Sequence, residues 1–447
     1  MRAFRKAVAV LLWAVFLAAT LLPASVLAGE PGGGREASRP GAVAVTFGAR
    51  HEMYLDGKLF LPVHAWAAAT GDLDRLAAMG VNVAYLSGTA GIAWNELTRD
   101  SLKELRTFLD ECARRKMYAV LNAEAWLKSS ARRGILKDGT LADYMGMFKD
   151  HPALLGWHIS SEEDMGLGRK ARAERGIEGW HPKPNGTTAD IAERRRQVKA
   201  VDPDHPVLVM FSGAQMLAAD RKFGWTVPTP EEFYLEAAKS GDIVYQDIFP
   251  VANNTADDIS QVGDATRLLA KYARGRKHLW AAVDAGDRKR WSTKSHAPTG
   301  AEIRNELWQA VVEGAHGLGF DYTSWKPTWA SIRMSEDGEK GLTAAVREIQ
   351  ALKEPILLGD PRVEVAMTQE ATQGGEVRAT TRLHDGKLYV FAVNVRTKPT
   401  TATIGLMQPL GQTAQVLGEK RTVNVVHNSI RDALDALGVH LYVIEKP

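Results

Sequence analysis

Short, continuously apolar runs alternate with amphipathic stretches from Val43 to about Leu358. Strands that are buried on both faces show this pattern, because helices cover both sides of a parallel sheet. The apolar runs predict eight strands, at residues 60–64, 81–86, 118–121, 154–159, 206–211, 242–249, 278–283 and 316–320. Helical spacing predicts helices between them, at residues 72–79, 100–116, 190–201, 230–239, 256–274 and 300–313.

This alternation predicts an α/β fold in which residues 42–358 form a (β/α)8 TIM barrel. Eight strand–helix units over roughly 300 residues are typical of that fold. A doubly wound open sheet is the alternative, and a glycine-rich phosphate turn would then follow the first strand. The residues at that point are His64, Ala65, Trp66 and Ala67, which favours the barrel.

The pattern changes after Leu358 to short β-like runs separated by turns. The runs lie at residues 362–368, 375–383, 387–394, 401–405, 414–417 and 439–445. Asp385-Gly386 between two of them is a two-residue hairpin signal. We therefore predict a small antiparallel β-sandwich over residues 359–447, in which Asn428–Leu437 forms a helical turn or an irregular edge.

The first residues have the features of a secretory signal peptide. Arg2, Arg5 and Lys6 precede an apolar run, and Val26-Leu27-Ala28 offers small residues for cleavage after Ala28. We expect residues 1–28 to be removed, residues 29–41 to form a flexible linker, and the mature chain to be secreted or periplasmic, in the cell envelope. An uncleaved membrane anchor is the alternative. Cys112 is the only cysteine, so no intramolecular disulfide can form.

The charge of the chain excludes little by itself. The sequence has 56 basic and 53 acidic residues, and removal of the signal's three basic residues balances the two signs. A balanced charge gives no reason to expect nucleic acid as a partner. The sequence has no second apolar segment long enough to span a membrane, so we expect no stable membrane insertion after the signal is cleaved. The sequence has no HExxH, no paired CxxC and no GxSxG motif. We therefore expect no metal and no cofactor.

In a TIM barrel, functional side chains gather at the C-terminal ends of the strands. The residues predicted there as substrate contacts are His64, Trp66, Asn122, Glu124, Trp126, Ser161, Glu163, Tyr245, Asp247, Asp321, Tyr322 and Trp325. Aromatic rings and carboxylates suit a carbohydrate, because sugar rings stack on aromatic faces and their hydroxyls bind polar groups. Hydrolysis of a glycosidic bond needs two carboxylates, one on each side of the bond.

Several segments are similar to the clan A type of (β/α)8 glycoside hydrolases. Residues 156–164, GWHISSEED, resemble the fourth-strand motif, in which a Gly-Trp run leads to Asp-Glu-Pro or Asn-Glu-Pro. Residues 55–60, LDGKLF, and 76–82, LAAMGVN, resemble the family's approaches to the first and second strands. Residues 387–394 and 438–442 resemble the β-sandwich that closes many of these enzymes.

The resemblance implies that Glu162 is the general acid/base and that Asp284 stands at the nucleophile position on the seventh strand, where the family normally has Glu. Ser161 stands where the family has Asn or Asp, and Glu163 where Pro is common. Asp284 is one methylene shorter than Glu. A shorter side chain widens the gap between the two carboxylates. Retaining enzymes hold their carboxylates ~5–5.5 Å apart and inverting enzymes ~6.5–9.5 Å apart, so the wider gap is compatible with inversion or with an unproductive site.

Two functions follow from these observations. The first is an exported glycoside hydrolase that acts on a poly- or oligosaccharide. The second is a non-catalytic carbohydrate-binding barrel protein of the cell envelope, which has lost one carboxylate. The fold alone does not separate them.

Overall fold

The structure, a computed structural model, describes residues 41–86, 99–124, 140–165, 186–219, 228–251, 258–286, 296–322, 334–361, 365–370, 375–407 and 411–445. It begins with a three-stranded antiparallel sheet of β1 (Val45–Phe47), β2 (Met53–Leu55) and β3 (Lys58–Phe60). The turn between β2 and β3 uses Asp56 and Gly57, with φ of 47° and 75°. Both angles lie in the left-handed region that a tight two-residue hairpin requires.

Eight parallel strands then close into a barrel in which neighbours follow the order of the chain. They are β4 (Val63–Ala68), β5 (Val83–Leu86), β6 (Tyr118–Asn122), β7 (Leu154–Ser161), β8 (Val207–Ser212), β9 (Ile243–Asp247), β10 (His278–Asp284) and β11 (Gly317–Asp321). The last strand, β11, pairs with β4 and completes the ring. The predicted barrel is confirmed, and the open-sheet alternative is wrong.

The first barrel strand begins later than predicted. The strand expected at residues 60–64 is divided, because Phe60 belongs to β3 and the barrel strand starts at Val63. Pro62 lies between them and has no N–H to donate to a ladder. His64 and Trp66 therefore lie within β4, and the prediction that they follow the first strand is wrong.

Helices connect the strands. They are α1 (Leu73–Ala78), α2 (Arg99–Arg114), α3 (Leu141–Gly146), α4 (Thr188–Val201), α5 (Gly213–Met216), α6 (Glu231–Ala237), α7 (Gln261–Ala273), α8 (Gly300–Val312), α9 (Glu336–Ala351) and α10 (Lys353–Leu358). Capping boxes begin α3, α4 and α8, where a threonine and an acid three residues later satisfy each other's backbone N–H. No helix in the described ranges is long and apolar enough to cross a membrane.

Aromatic side chains fill the barrel interior. Trp66, Tyr85, Tyr245 and Trp280 belong to one buried cluster, which also contains Met53 of the N-terminal sheet. Phe47 and Phe60 of that sheet contact His278 and Tyr118, which begin their strands; the ring centroids are 5.4 and 5.5 Å apart. The N-terminal sheet therefore covers the end of the barrel at which the strands begin.

Two glycines of β11 make room for the large rings of the interior. A Cβ atom on Gly317 would lie 2.4 Å from the ring of Trp280, and one on Gly319 would lie 2.0 Å from the ring of His64. Any larger residue would overlap these rings, which explains the sequence Gly-Leu-Gly in this strand.

Antiparallel strands form a separate domain at the C-terminus. They are β12 (Val365–Glu370), β13 (Val377–His384), β14 (Lys387–Asn394), β15 (Thr400–Leu406), β16 (Thr413–Val416), β17 (Arg421–Val426), β18 (Ser429–Leu434) and β19 (Val439–Glu445). Their order is β12-β15-β18-β17-β16-β19-β14-β13, and one apolar core lies between them. The predicted all-β domain is confirmed.

The prediction of a helical turn or irregular edge at Asn428–Leu437 is wrong, because residues 429–434 form strand β18. Ile430 and Leu434 are the buried residues of this strand. Their spacing of four fits one face of a helix and one face of a strand equally well. Pairing with β15 and β17 decides between the two.

Candidate functional site

Glu162 stands directly after β7, the fourth barrel strand, and its backbone is strained. Its φ is 47°, in the left-handed region that residues other than glycine seldom adopt. Its N–H donates to the Met210 carbonyl at 3.1 Å, and its carbonyl accepts from the Met165 N–H at 3.0 Å. These two bonds stabilise a tight turn at the C-terminal face of the barrel, with the Glu162 side chain partly exposed.

Glu163 and Glu124, both predicted as substrate contacts, share a buried arginine. Glu163 is 3% exposed in its side chain and forms an ion pair with Arg194 of α4. Glu124 accepts the Ser161 N–H at 2.9 Å and lies 3.5 Å from Nη1 of Arg194. The same Nη1 donates to the Ile159 carbonyl at 3.0 Å. This cluster ties the end of β7 to β6 and α4.

Asp164 faces the fifth strand. Its carboxylate oxygens each lie 3.2 Å from the Ser212 N–H donor, and one accepts the Tyr234 hydroxyl at 3.2 Å. Complete burial raises the pKa of Asp164 well above its usual value, and the Glu162 charge adds to that shift. Of the three adjacent acids, Glu163 and Asp164 are buried against other elements, and Glu162 is the one that is partly exposed.

Asp284 ends β10, the seventh barrel strand, as predicted from the sequence. Its side chain is fully buried, and Oδ2 accepts the Val251 N–H at 2.9 Å. It is in register with Asp321 at the end of β11, which is also buried. Its own N–H donates to Oε2 of Glu306 at 3.2 Å. Burial, followed by the charge of Asp284, raises the pKa of Glu306 well above its usual value.

His64, Trp66 and Tyr245 lie inside the barrel. The His64 ring stacks on Trp280 at 4.8 Å between centroids and meets Tyr245 edge-on at 5.0 Å. Trp66 stacks on Tyr85 at 4.1 Å. Burial lowers the pKa of His64 to about 3, so the ring is neutral at physiological pH. These rings form the floor beneath the C-terminal ends of the strands.

The other predicted contacts lie in different places. Asn122 and Ser161 are partly exposed at the ends of β6 and β7, and Asp247 is 8% exposed at the end of β9. Tyr322 packs on the helical side, where its hydroxyl donates to Asp72 at 3.4 Å. Trp126 and Trp325 lie outside the described residues.

Sequence reasoning missed Arg194 and Glu306. Arg194 lies in a run of three arginines on α4, which resembles an ordinary solvated helix face. Glu306 had a usable signal, because it lies three residues after Ile303 and four before Ala310, on the apolar face of the predicted helix. A charge within an apolar helix is rarely buried without a partner. In the described part of the chain, no group of three His, Cys, Asp or Glu side chains is arranged to hold a metal ion.

The arrangement offers carboxyl groups that are suited to acid–base chemistry. A partly exposed carboxyl at Glu162 and buried carboxyls at the ends of β10 and β11 lie at the same face of the barrel, and buried aromatic rings fill the interior beneath them. A general acid needs a carboxyl that can reach the leaving oxygen, and the second carboxylate acts from the opposite side.

Solved structures of glycoside hydrolases share this fold. The chain superposes on an α-amylase of Anoxybacillus with a TM-score of 0.53 at 13% identity, covering 85% of this chain and 90% of that one. An α-amylase of Geobacillus thermoleovorans, solved with acarbose, gives a TM-score of 0.53 at 10% identity, covering 86% of this chain and 98% of that one. A variant of AmyP, solved with maltotriose, gives a TM-score of 0.54 at 7% identity, covering 87% of this chain and 97% of that one.

No protein-family model matches the chain, and no curated protein sequence matches it. The similarity to solved structures therefore concerns the fold: a parallel barrel of eight strands with an antiparallel all-β domain at the C-terminus.

Proposed function

We propose that the protein is an exported glycoside hydrolase that cleaves O-glycosidic bonds of a poly- or oligosaccharide. The observation that carries this proposal is the strained, partly exposed Glu162 at the C-terminal end of the fourth barrel strand. Of the described non-glycine residues with positive φ, Glu162 is the one at this face of the barrel. Strain of this kind collects at functional sites, where surrounding contacts hold it.

In this proposal Glu162 donates a proton to the leaving oxygen, and Asp284 activates water or attacks the anomeric carbon. The ion pair of Glu163 with Arg194 and the bonds of Asp164 to Ser212 hold the two residues after Glu162 against α4 and the end of β8. Two proteins of similar fold were solved with acarbose and with maltotriose, so α-glucans are the first substrates to test.

The second candidate is a carbohydrate-binding protein without catalysis. The full burial of Asp284, with Oδ2 occupied by the Val251 N–H, favours it. The two candidates predict the same sugar binding and differ in whether the products include new reducing ends.

The test is release of reducing ends from a glycan panel that begins with α-glucans. We expect Glu162→Gln and Asp284→Asn each to lower the rate of hydrolysis by at least ~10²-fold, which is the usual contribution of a general acid or base to the rate. Sugar binding should stay intact. Glu236→Gln on the exposed face of α6 and Asp385→Asn in a hairpin turn are matched controls.

The outcomes separate the candidates. Wild-type rates in both site variants would disprove the assigned roles, and binding without any reducing-end release would support the carbohydrate-binding protein. With an active substrate, NMR of the first-formed anomer distinguishes retention from inversion.

Export forms part of the proposal and has its own test. Residues 1–28 have the pattern of a cleaved secretory signal. N-terminal sequencing of the protein from an expressing bacterium should begin at Gly29 in the periplasmic or extracellular fraction. A chain that keeps Met1 in the membrane fraction would instead support the uncleaved anchor.

A further inference from the structure

A cavity of about 380 Å³ lies at the end of the barrel opposite Glu162. Arg50 precedes β2, His316 precedes β11, Leu357 belongs to α10, and Arg382 belongs to β13. These lining residues bring together the N-terminal sheet, the beginning of a barrel strand and the C-terminal domain. The cavity is therefore separate from the site at the C-terminal ends of the strands.

Both arginines of the cavity bind neutral groups. Nη1 of Arg50 donates to the carbonyls of Leu358 and Gly359. Nη1 of Arg382 donates to Oγ1 of Thr380 at 2.7 Å and to the Thr381 carbonyl at 2.8 Å. Among the described residues, neither guanidinium has a carboxylate within ion-pair distance. Each guanidinium has five N–H donors, so donors remain on both side chains.

Other partly buried arginines among the described residues are paired with acids. Arg304 forms an ion pair with Glu348 at 2.9 Å, and Arg378 forms one with Asp264 at 2.9 Å. Arg50 and Arg382 thus differ from these arginines, although Arg304 and Arg378 also connect the barrel with the C-terminal domain. A guanidinium that is withdrawn from water without a counter-charge is costly unless an anion joins it.

The remaining polar groups leave the cavity with a positive charge. Asp360 is the acid among its lining residues. Nδ1 of His316 accepts the Leu279 N–H at 3.1 Å, and burial lowers the pKa of His316 to about 4, so the ring is neutral at physiological pH. Burial, with the Arg50 charge, lowers the pKa of Arg382 to about 10, which leaves the guanidinium protonated at that pH.

We propose that this cavity, named here the junction cavity, binds a tetrahedral oxyanion between Arg50 and Arg382. Phosphate and sulfate present several acceptor oxygens to the planar donor fork of arginine, and two such forks can hold one anion. The bound anion joins the N-terminal segment to β13 and so stabilises the junction between the barrel and the C-terminal domain. The same chemistry is available from a free ion and from a sulfate or phosphate ester of a sugar.

The test is calorimetric titration of the whole chain with inorganic phosphate and with inorganic sulfate at constant ionic strength in chloride buffer. We expect one saturable site. Arg50→Gln and Arg382→Gln should each weaken binding by at least about tenfold, the effect of losing one charged hydrogen bond. Arg347→Gln on the exposed face of α9 is the matched control and should bind as the wild type does. Absence of saturable binding, or unchanged affinity in both cavity variants, would overturn the proposal.

Hydrogen exchange of the wild-type chain tests the same site without a variant. Inorganic phosphate should slow exchange at backbone amides of residues 314–316, 357–360 and 380–384, and uniform exchange with and without phosphate would contradict the proposal. Titration with glucose 6-phosphate, with glucose as the uncharged control, identifies the source of the anion. Tighter binding of the sugar phosphate than of phosphate indicates an ester, and the reverse indicates the free ion. Neither measurement depends on hydrolysis, so it succeeds or fails independently of the proposed enzyme activity.

Discussion

At the scale of single residues, close packing in the barrel interior restricts the size of the side chain at certain positions. Gly319 faces the His64 ring, which is held between Trp280 and Tyr245 at centroid distances of 4.8 and 5.0 Å. A Cβ atom on Gly319 would lie 2.0 Å from that ring. The ring is packed on both sides, so it cannot move away without disturbing its neighbours.

We predict that Gly319→Ala lowers the free energy of unfolding by roughly 1–3 kcal/mol, the usual cost of overpacking a core. Urea unfolding followed by tryptophan fluorescence measures it. Gly146→Ala is the matched control, because nothing lies within 4 Å of a Cβ atom there and the residue ends helix α3. Equal stability of the two variants would contradict this account of the interior.

Arg194 illustrates how one buried charge can hold the candidate site together. It forms ion pairs with Glu163 and Glu124, which are 3% and 5% exposed. We predict that Arg194→Met lowers the free energy of unfolding by about 3–5 kcal/mol, because it removes the Arg194 cation from two buried carboxylates. Equilibrium urea unfolding at pH 7 checks the value.

A double substitution separates charge from packing at this position. Glu163→Gln in the Arg194→Met background removes one of the two negative charges that Arg194 balanced and should restore part of the lost stability. The matched comparison is Glu163→Gln alone, which should destabilise the wild-type chain. Additive effects of the two substitutions would show that the charges are not coupled.

At the scale of elements, the start of α4 connects helix capping to the site. Oγ1 of Thr187 accepts the Asp190 N–H at 3.1 Å, and Asp190 accepts the Thr187 N–H at 3.2 Å. Arg194 lies one turn further along the same helix, and its Nε donates to the Asp190 carbonyl at 3.2 Å. The cap therefore stabilises the turn that positions the arginine.

We predict that Thr187→Ala lowers the free energy of unfolding by about 1 kcal/mol, since it leaves a helix-end N–H without its acceptor. Thr187→Ser keeps the hydroxyl and should retain most of the stability. Differential scanning calorimetry compares the two melting temperatures. If serine and alanine destabilise the chain equally, the hydroxyl bond is not the cause.

Elements differ in how well their sequences define them. The continuously apolar barrel strands were predicted within a few residues, because burial on both faces leaves a clear local pattern. Strand β17 was missed although Val423 and Val425 alternate with polar residues, and β18 was wrongly assigned because its buried Ile430 and Leu434 fit a helix face and a strand face equally well. Their identity depends on pairing with partners elsewhere in the sheet.

At the scale of the whole molecule, buried histidines should make stability depend on pH. Burial lowers the pKa of His64 and of His158 to about 3. In the unfolded chain each histidine takes up a proton near pH 6.5, whereas the folded rings remain neutral until about pH 3. Their contribution to stability is therefore complete above pH 6.5 and is lost progressively as pH falls toward 3.

Asp164 and Glu306 act in the opposite direction. Burial raises the pKa of each carboxyl well above its usual value. Their contribution is complete below the unfolded pKa of roughly 4 and is lost as pH rises through the raised folded value. A single variant is needed to separate the histidine effect from this opposing one.

We predict that lowering pH from 6.5 to 5 costs roughly 1–2 kcal/mol for each of these histidines. His64→Phe keeps a flat ring and removes the titration, so its loss of stability over this interval should be smaller by that amount. Neither ring nitrogen of His64 has a hydrogen-bond partner among the described residues, so phenylalanine leaves no polar group stranded. Urea unfolding at both pH values tests this, and parallel pH profiles would contradict it.

The sequence by itself determined the eight-strand barrel and the antiparallel domain, because alternation of apolar and polar positions is a local property that burial imposes. It also placed acids at the ends of the strands, Glu162 and Asp284 among them. Tertiary structure alone decided how three adjacent acids differ: Glu163 meets Arg194, Asp164 meets Ser212 and Tyr234, and Glu162 remains partly exposed. Those partners lie far along the chain, and contacts between distant residues leave no trace in a local pattern.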